Sequence, residues 1–379
     1  MKTHLPINTF RPLAAALAFG AGLVALPAHA LVVTSGTLDF SGSASVTDQE
    51  GGGSTTNNGA LLDTAALTRF DASTGVLMGA TLVVDSKRKQ LTSTTSTDGA
   101  NTGPNQSGTT TGSGSSSAQV SAPGVSQNFG TIAQGDDCTA NRRGACDDGA
   151  TKSIHNDPLV NAAVAASALD AYVGVGSALV SFTAPTLSAA QDLGLFTGTE
   201  STTYTLKWSG TVGLDYEYLL HAAPSFTAGG LSLDLDFGSF YVGETAELGF
   251  GLANAGGARV GLDLDGVTGS GDTDRFGTDL DLFVNLLAGA SLSYTAWLDT
   301  SAAGVFSASY LLDLSDENVG AASSRFNYQL RLNLSGTVLE QPLVENTPDS
   351  GGRNAVPEPG SLALLGLGVF GLAALRRRT

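Results

Sequence analysis

The side chains best suited to chemistry crowd into one stretch, GLDLDGVTGSGDTDRFGTDLDLF. Asp263, Asp265, Asp272, Asp274, Asp279 and Asp281 fall within nineteen residues there, separated by glycine-rich turns. Calcium takes about six to eight hard oxygens from flexible carboxylates and carbonyls, and such a loop offers them. The spacing matches neither the EF-hand loop nor the nonapeptide calcium repeat. Strand alternation also puts Asp263, Asp265, Asp279 and Asp281 on solvent-facing positions, the ordinary place for charge. The solvated-face reading therefore leads, and Asp272 and Asp274 are the calcium candidates.

Catalytic groups are scarce. His4 and His29 lie in the first thirty residues, which leaves His155, in SIHNDP, and His221. A Ser-His-Asp arrangement needs a base oriented by an acid, and no G-x-S-x-G elbow accompanies either histidine. There is no H-E-x-x-H and no phosphate-cradling G-x-x-x-x-G-K. Carboxylates are numerous enough for a glycosidase-like pair, but nothing singles one out. The expectation is no catalytic residue, no enzyme and no cofactor beyond the calcium candidates, with a secreted hydrolase as a distant alternative.

The two cysteines stand in GDDCTANRRGACDDG, at Cys138 and Cys146. In an oxidising compartment they read as a disulfide closing a small loop, contributing about 2.5 kcal/mol in the chain-entropy model. No histidine or third cysteine lies close by, and the spacing is not that of a zinc site. Arg142 and Arg143 sit between Asp136-Asp137 and Asp147-Asp148, a self-neutralising hairpin, with a partner-binding tip as the sharper alternative.

What must position these groups is a set of strands. Apolar and polar residues alternate in LSLDLDF, ELGFGL, FSASYLLDL and YQLRLNL, the period of half-buried antiparallel strands. In the last, Tyr328, Leu330, Leu332 and Leu334 share one face. GTVGLDYEYL repeats the pattern with Val212, Leu214, Tyr216 and Tyr218 inward. The fold class expected is all-β: two antiparallel β-sandwich domains of jelly-roll or Ig-like type, over 31–222 and 229–345. One helix is expected, from Pro158 to about Tyr172. Residues 91–119 are almost wholly Ser, Thr, Gly and Asn, and read as a flexible insertion unable to bury apolar surface. Residues 346–355 read as a linker. Trp208 and Trp297 both sit in strand runs and read as core, which denies a carbohydrate-binding alternative its aromatic platform.

The ends carry separate signals. Lys2 and Arg11, an apolar run Leu13 to Leu26 and Ala28-His29-Ala30 make 1–30 a signal peptide. Residues 356–379 read VPEPGSLALLGLGVFGLAALRRRT: two prolines, an uncharged stretch Ser361 to Leu375, then three arginines. Fifteen helical residues span about 22 Å, short of a bilayer core of roughly 30 Å. The arginines favour the cytoplasmic side. A plain membrane helix is the ordinary reading; the short span after Pro357-Glu358-Pro359 argues instead for a marginal anchor shown to another protein.

Those residues resemble the PEP-CTERM sorting signal. The resemblance implies recognition at Pro357, Glu358 and Pro359 by exosortase, a membrane-embedded thiol transpeptidase of Gram-negative bacteria that make extracellular polysaccharide. It implies transient retention in the inner membrane through 361–375, a short hydrophobic helix, then release or transfer to the envelope, cell surface or medium. In the body, DFGSFYVGETAELGFGLANAG, GVFSASYLLDLSDEN and LRLNLSGTV resemble an Ig-like repeat of bacterial surface proteins. The F-D-x-x-x-G-x-L, Y-V-G-x-G and Y-x-Y elements of the first half resemble the choice-of-anchor domains, type E. Both imply β-rich extracellular modules rather than enzymes.

Charge agrees. Setting aside Lys2, Arg11 and the three terminal arginines leaves 13 of 18 basic residues, and setting aside Glu358 leaves 34 of 35 acidic ones, so the body stands near −21. Such a charge repels nucleic acid and anionic lipid. The expected function is an exosortase-processed surface protein with a structural or matrix role, exopolysaccharide being a candidate partner. A carbohydrate-binding or adhesive module is the alternative.

Overall fold

The computed structural model describes residues 29–49, 53–96, 107–141, 144–147, 149–192 and 199–342. The chain is all-β, with four sheets stacked in two face-to-face pairs. In the first sheet Glu200–Leu219 lies between Leu31–Gln49 and Val76–Ser96, and the far edge of Val76–Ser96 is covered by Cys146–Asp147, Thr151–Asn156 and Val160–Ala163. The facing sheet runs Ser54–Thr56, Leu187–Asp192, Ser107–Ala122, Ser177–Ala184, Ala60–Thr68, with Val125–Asn141 hairpinned onto Ser107–Ala122. The third sheet is ordered Pro224–Phe226, Ala246–Asn254, Ser291–Leu298, Phe276–Thr278. The fourth is ordered Ser232–Tyr241, Asn327–Leu339, Gly304–Asp316, Leu262–Gly271, Phe283–Leu286.

Alternation decides which faces meet. Val212, Leu214 and Tyr216 are buried as their spacing requires, and so are Leu330, Leu332 and Leu334. The first core centres on Trp208, fully buried, with the rings of Phe40, Phe129 and Phe182 set edge-on to it at 5.4, 5.2 and 5.3 Å. Burying an aromatic cluster of this kind is worth several times a single aliphatic contact and fixes the sheet-to-sheet distance. The second core is richer in leucine, with Leu252, Leu262, Leu298, Leu312 and Leu332 packed around Phe226, Phe237, Phe250 and Phe276.

Three expectations are corrected. Residues 91–96 and 107–119 are strand, not a flexible insertion: they continue Val76–Ser96 and open Ser107–Ala122. Composition misled because this end of the sandwich has a polar interior. Thr92, Thr94, Thr110 and Thr202 are buried with no exposure, and the Thr94 and Thr202 hydroxyls lie 3.3 Å apart. Gly112 and Gly114 let the sheets close, since a Cβ on Gly112 would stand 2.0 Å from Thr94 Oγ1 and one on Gly114 2.0 Å from the Tyr204 ring. The Thr92 and Thr110 hydroxyls are buried without a partner, so ordering here is rewarded by the continuous backbone ladders and tight approach rather than by apolar area.

The expected helix from Pro158 to Tyr172 is instead the strand Val160–Ala163 followed by a 3₁₀ helix, Ala166–Tyr172. Its alanines favour a helix locally, but the edge of Val76–Ser96 at Thr81 to Val84 captures residues 160–163 as ladder partners. One strand pair departs from the antiparallel expectation. Ser232–Tyr241 runs parallel to Asn327–Leu339, the long intervening chain supplying the crossover that parallel pairing needs.

The two pairs of sheets touch through the segment around 316–326. Ala321 N–H donates to Leu77 O at 2.8 Å, Leu77 N–H donates to Ser324 Oγ at 3.0 Å, and Asp170 accepts from both the amide and the hydroxyl of Ser323. Val76 and Leu219 pack into the second core and Ala321 into the first.

Candidate functional site

Pro357, Glu358 and Pro359 lie outside the described residues, as do residues 1–28 of the expected signal peptide, the expected linker and the hydrophobic stretch 361–375. What the structure places is their point of departure. The last strand ends at Leu339 as an inner strand of its sheet, and Gln341 Nε2 donates to Val242 O. Fourteen residues separate 342 from Pro357. Among the described residues no helix is long and apolar enough to cross a membrane.

Cys138 and Cys146 are bonded, with Cα atoms 5.8 Å apart. The disulfide ties the buried Cys138, on Val125–Asn141, to the Cys146–Asp147 strand that pairs with Thr95 and Ser96. It therefore links the two sheets of the first sandwich at its polar end. Arg142, Arg143 and Asp148 lie outside the described side chains. Asp136 is no solvated flank: it is buried and accepts from Thr94 N–H and the Thr151 hydroxyl.

The acidic loop disperses. Asp272 Oδ2 accepts Ser307 N–H at 2.8 Å, and its carbonyl accepts the amides of Arg275 and Phe276. Asp272 thus closes a turn. Asp274 is exposed and its carboxylate lies 4.0 Å from Arg275 Nε. Asp263, expected at the surface, is buried and accepts Asn285 N–H. Among the described residues no three His, Cys, Asp or Glu side chains gather at metal-holding distance.

His155 borders a cavity of about 310 Å³ whose wall holds a buried ion pair. Arg88, 2% exposed, reaches Asp157 through Nε at 3.0 Å and Nη2 at 2.8 Å, and donates from Nη1 to Gly130 O at 2.6 Å. The Ser86 hydroxyl also donates to Asp157, while His155 Nε2 stands 3.7 Å away. The acid therefore sits between hydroxyl and imidazole. Hydroxyl activation needs the imidazole in the middle.

His221 occupies the junction of the sandwiches. Its Nδ1 lies 2.7 Å from Asp316 Oδ2 and its Nε2 2.7 Å from Ala72 O, and its ring stacks on Phe326 at 3.9 Å. Asp316 also accepts the amides of Ala222 and Phe326 and the Tyr328 hydroxyl. Burial pulls the His221 pKa down, but the Asp316 hydrogen bond, the Ala72 carbonyl and the Asp316 charge outweigh it, so the value is raised. Burial pushes Asp316 up, and the hydrogen bonds from His221, Phe326, Ala222 and Tyr328 bring it below its ordinary value. Both imidazole nitrogens face acceptors, so the geometry calls for imidazolium. Sequence spacing gave no signal for this pairing, because 95 positions separate the two residues.

The two tryptophans part company. Trp208 is core, as expected. Trp297 is 42% exposed, which corrects the expectation for it. It stands on the outer face of Ser291–Leu298, whose buried side carries Ala296 and Leu298.

The fold defines an all-β sandwich protein. Its tail is more specific: residues 355–378 match the PEP-CTERM protein-sorting motif. No curated protein matches the chain. Among solved structures it is similar in part to the ASH/PapD-like domain 7 of human CEP192, at 12% identity over 31% of this chain and 87% of that one, TM-score 0.23. It is similar to the periplasmic chaperone SfaE at 10% identity over 32% and 61%, TM-score 0.22. With the VesB protease of Vibrio cholerae the figures are 13% over 33% and 37%, TM-score 0.20. Scores this low carry nothing about function.

Proposed function

We propose that this is an exported protein delivered by exosortase to the envelope, cell surface or surrounding exopolysaccharide, where its body serves a structural, non-catalytic role. The observation that carries the reading is the sorting motif over residues 355–378. On this reading Pro357, Glu358 and Pro359 are substrate to the processing enzyme and catalyse nothing. Residues 361–375 hold the chain in the inner membrane until the tail is removed. The Ig-like and choice-of-anchor resemblances of the body fit a spacer or display module, and its acidity fits solubility outside the cell.

The test is the intact mass and location of the protein in its native cell, with and without exosortase. Loss of the tail near Pro357, together with envelope or medium localisation that requires exosortase, is the expected result. An uncleaved tail in both strains makes 361–375 a plain membrane anchor and removes the proposal. A carbohydrate-binding role for the body is the second reading, and the exposure of Trp297 favours it.

A further inference from the structure

The indole of Trp297 is held flat. Cross-strand from it on one side is Gly277 of Phe276–Thr278, and on the other Glu247 of Ala246–Asn254. A Cβ on Gly277 would stand 2.3, 2.4 and 2.5 Å from Trp297 Cε2, Nε1 and Cζ2. The central atom Cε2 is the nearest of the three, so that point stands above the ring plane at the Nε1–Cε2–Cζ2 rim, not in the plane beside it. The indole therefore rests by this rim on the glycine, and the opposite face is open to its exposure. A side chain at 277 would lift the ring; glycine lets it lie down.

The surroundings are polar and acidic. Next along the outer face, Thr295 stands opposite Gly249, and its amide donates to Asp279 Oδ1 at 2.6 Å. Glu247, on the flanking strand Ala246–Asn254, and Asp279, just past the end of Phe276–Thr278, are both exposed. A protein partner ordinarily covers about 800 Å² per side with a large apolar centre. A single ring framed by glycines, a threonine and two carboxylates is too small an apolar patch for that. It is the size of one sugar ring.

We propose that Trp297 is a stacking platform for one hexopyranose unit of a neutral polysaccharide. The electron-rich indole face attracts the polarised C–H bonds on the apolar face of a pyranose. Sugar hydroxyls donate outward to the carboxylates of Glu247 and Asp279. The same two carboxylates, in a body near −21, repel uronic-acid chains, so the class taken is neutral hexose or N-acetylated hexosamine. The site is a platform and binds weakly per unit, which suits a protein that meets a polymer many times over. This deepens the carbohydrate-binding reading and rests on it, while the titration below does not depend on how the tail is processed.

The chain has two tryptophans, one buried and one exposed, so the indole N–H region of a ¹H–¹⁵N spectrum carries its own control. The full chain is titrated with cellotetraose, maltotetraose, chitotetraose and, as the anionic probe, tetragalacturonate. The expected result is a saturable shift of the Trp297 signal with at least one neutral tetrasaccharide, none with tetragalacturonate, and a still Trp208 signal. Trp297→Ala should then weaken binding at least tenfold and Trp297→Phe less, by calorimetry, with thermal unfolding checked for both. No saturable shift with any neutral tetrasaccharide overturns the proposal, as does an equal response to tetragalacturonate. The wild-type titration decides even if a variant misfolds, and a failed titration leaves the exosortase experiment untouched.

Discussion

His221 and Asp316 form the charged centre of the junction between the two sandwiches, their Nδ1 and Oδ2 atoms 2.7 Å apart. The other imidazole nitrogen reaches back to Ala72 in the first sandwich, while Asp316 gathers the amides of Ala222 and Phe326 and the Tyr328 hydroxyl in the second. Arg259, which donates to the His221 carbonyl, is the one cation opposing the protonated ring among the groups that shift it.

The pair sets a pH window. His221 is raised above its ordinary 6.5, so its contribution is complete below that value and is lost as pH rises through the folded pKa. Asp316 is lowered below its ordinary 3.8, so its contribution is complete above that value and is lost as pH falls through the folded pKa. The junction is therefore strongest between about pH 4 and 6.5. Corrected for intrinsic exchange, protection at Leu77 and Ala321 should be greatest in that window and fall as pH rises through the raised His221 value. Protection unchanged after that correction would contradict the assignment.

Asp316→Asn should remove most of this behaviour. The variant keeps a side chain of the same size but withdraws the charge from His221, whose pKa should fall. A histidine ¹⁵N titration measures it directly. A loss of about 2–4 kcal/mol in unfolding free energy is expected, since four donors lose a charged acceptor.

Gly112→Ala should be costly and Gly130→Ala nearly neutral, although both lie in strands of the same hairpin. The new methyl at 112 meets Thr94 Oγ1 at 2.0 Å and Thr202 Oγ1 at 2.5 Å, whereas position 130 has no atom within 4 Å. Overpacking of this kind costs about 1–3 kcal/mol, against less than about 0.5 for an open surface site. Paired urea denaturation curves decide. Equal stabilities would mean that the Ser/Thr/Gly strands are not packed as described.

Arg88→Met should destabilise by about 3–5 kcal/mol, because it strands Asp157 as an uncompensated buried charge. Adding Asp157→Leu should restore much of the loss, since removing both charges also removes the desolvation penalty. A double-mutant cycle in denaturant gives the coupling.

Reduction of Cys138–Cys146 should cost about 2.5 kcal/mol, the loop-closure value for so short a loop. The loss should appear first at the polar end, as faster amide exchange around Ser96 and Thr110, beside the bridge. A thermal scan with and without reductant, followed by exchange mapping, measures both parts.

Two kinds of information in the sequence survived folding. Period-two runs such as Leu330, Leu332 and Leu334 determined strands and their inward faces, because alternation is a property of the extended backbone and needs no partner to be read. The residue identities of 355–378 determined the sorting motif, because a short linear signal is recognised as sequence. The tertiary structure decided the rest. Ser and Thr at 91–96 and 107–119 became strand because long partner strands offered them ladders and Gly112 and Gly114 let the facing sheets approach closely, which composition cannot express. His221 became a partly buried imidazole with a raised pKa because a carboxylate 95 positions away faces it. Trp297 came to the surface because its strand turns Ala296 and Leu298 to the core, and a glycine on the neighbouring strand leaves room for its ring. Each of these outcomes depends on which residues stand opposite one another, and register between distant strands is fixed only when the sheets close.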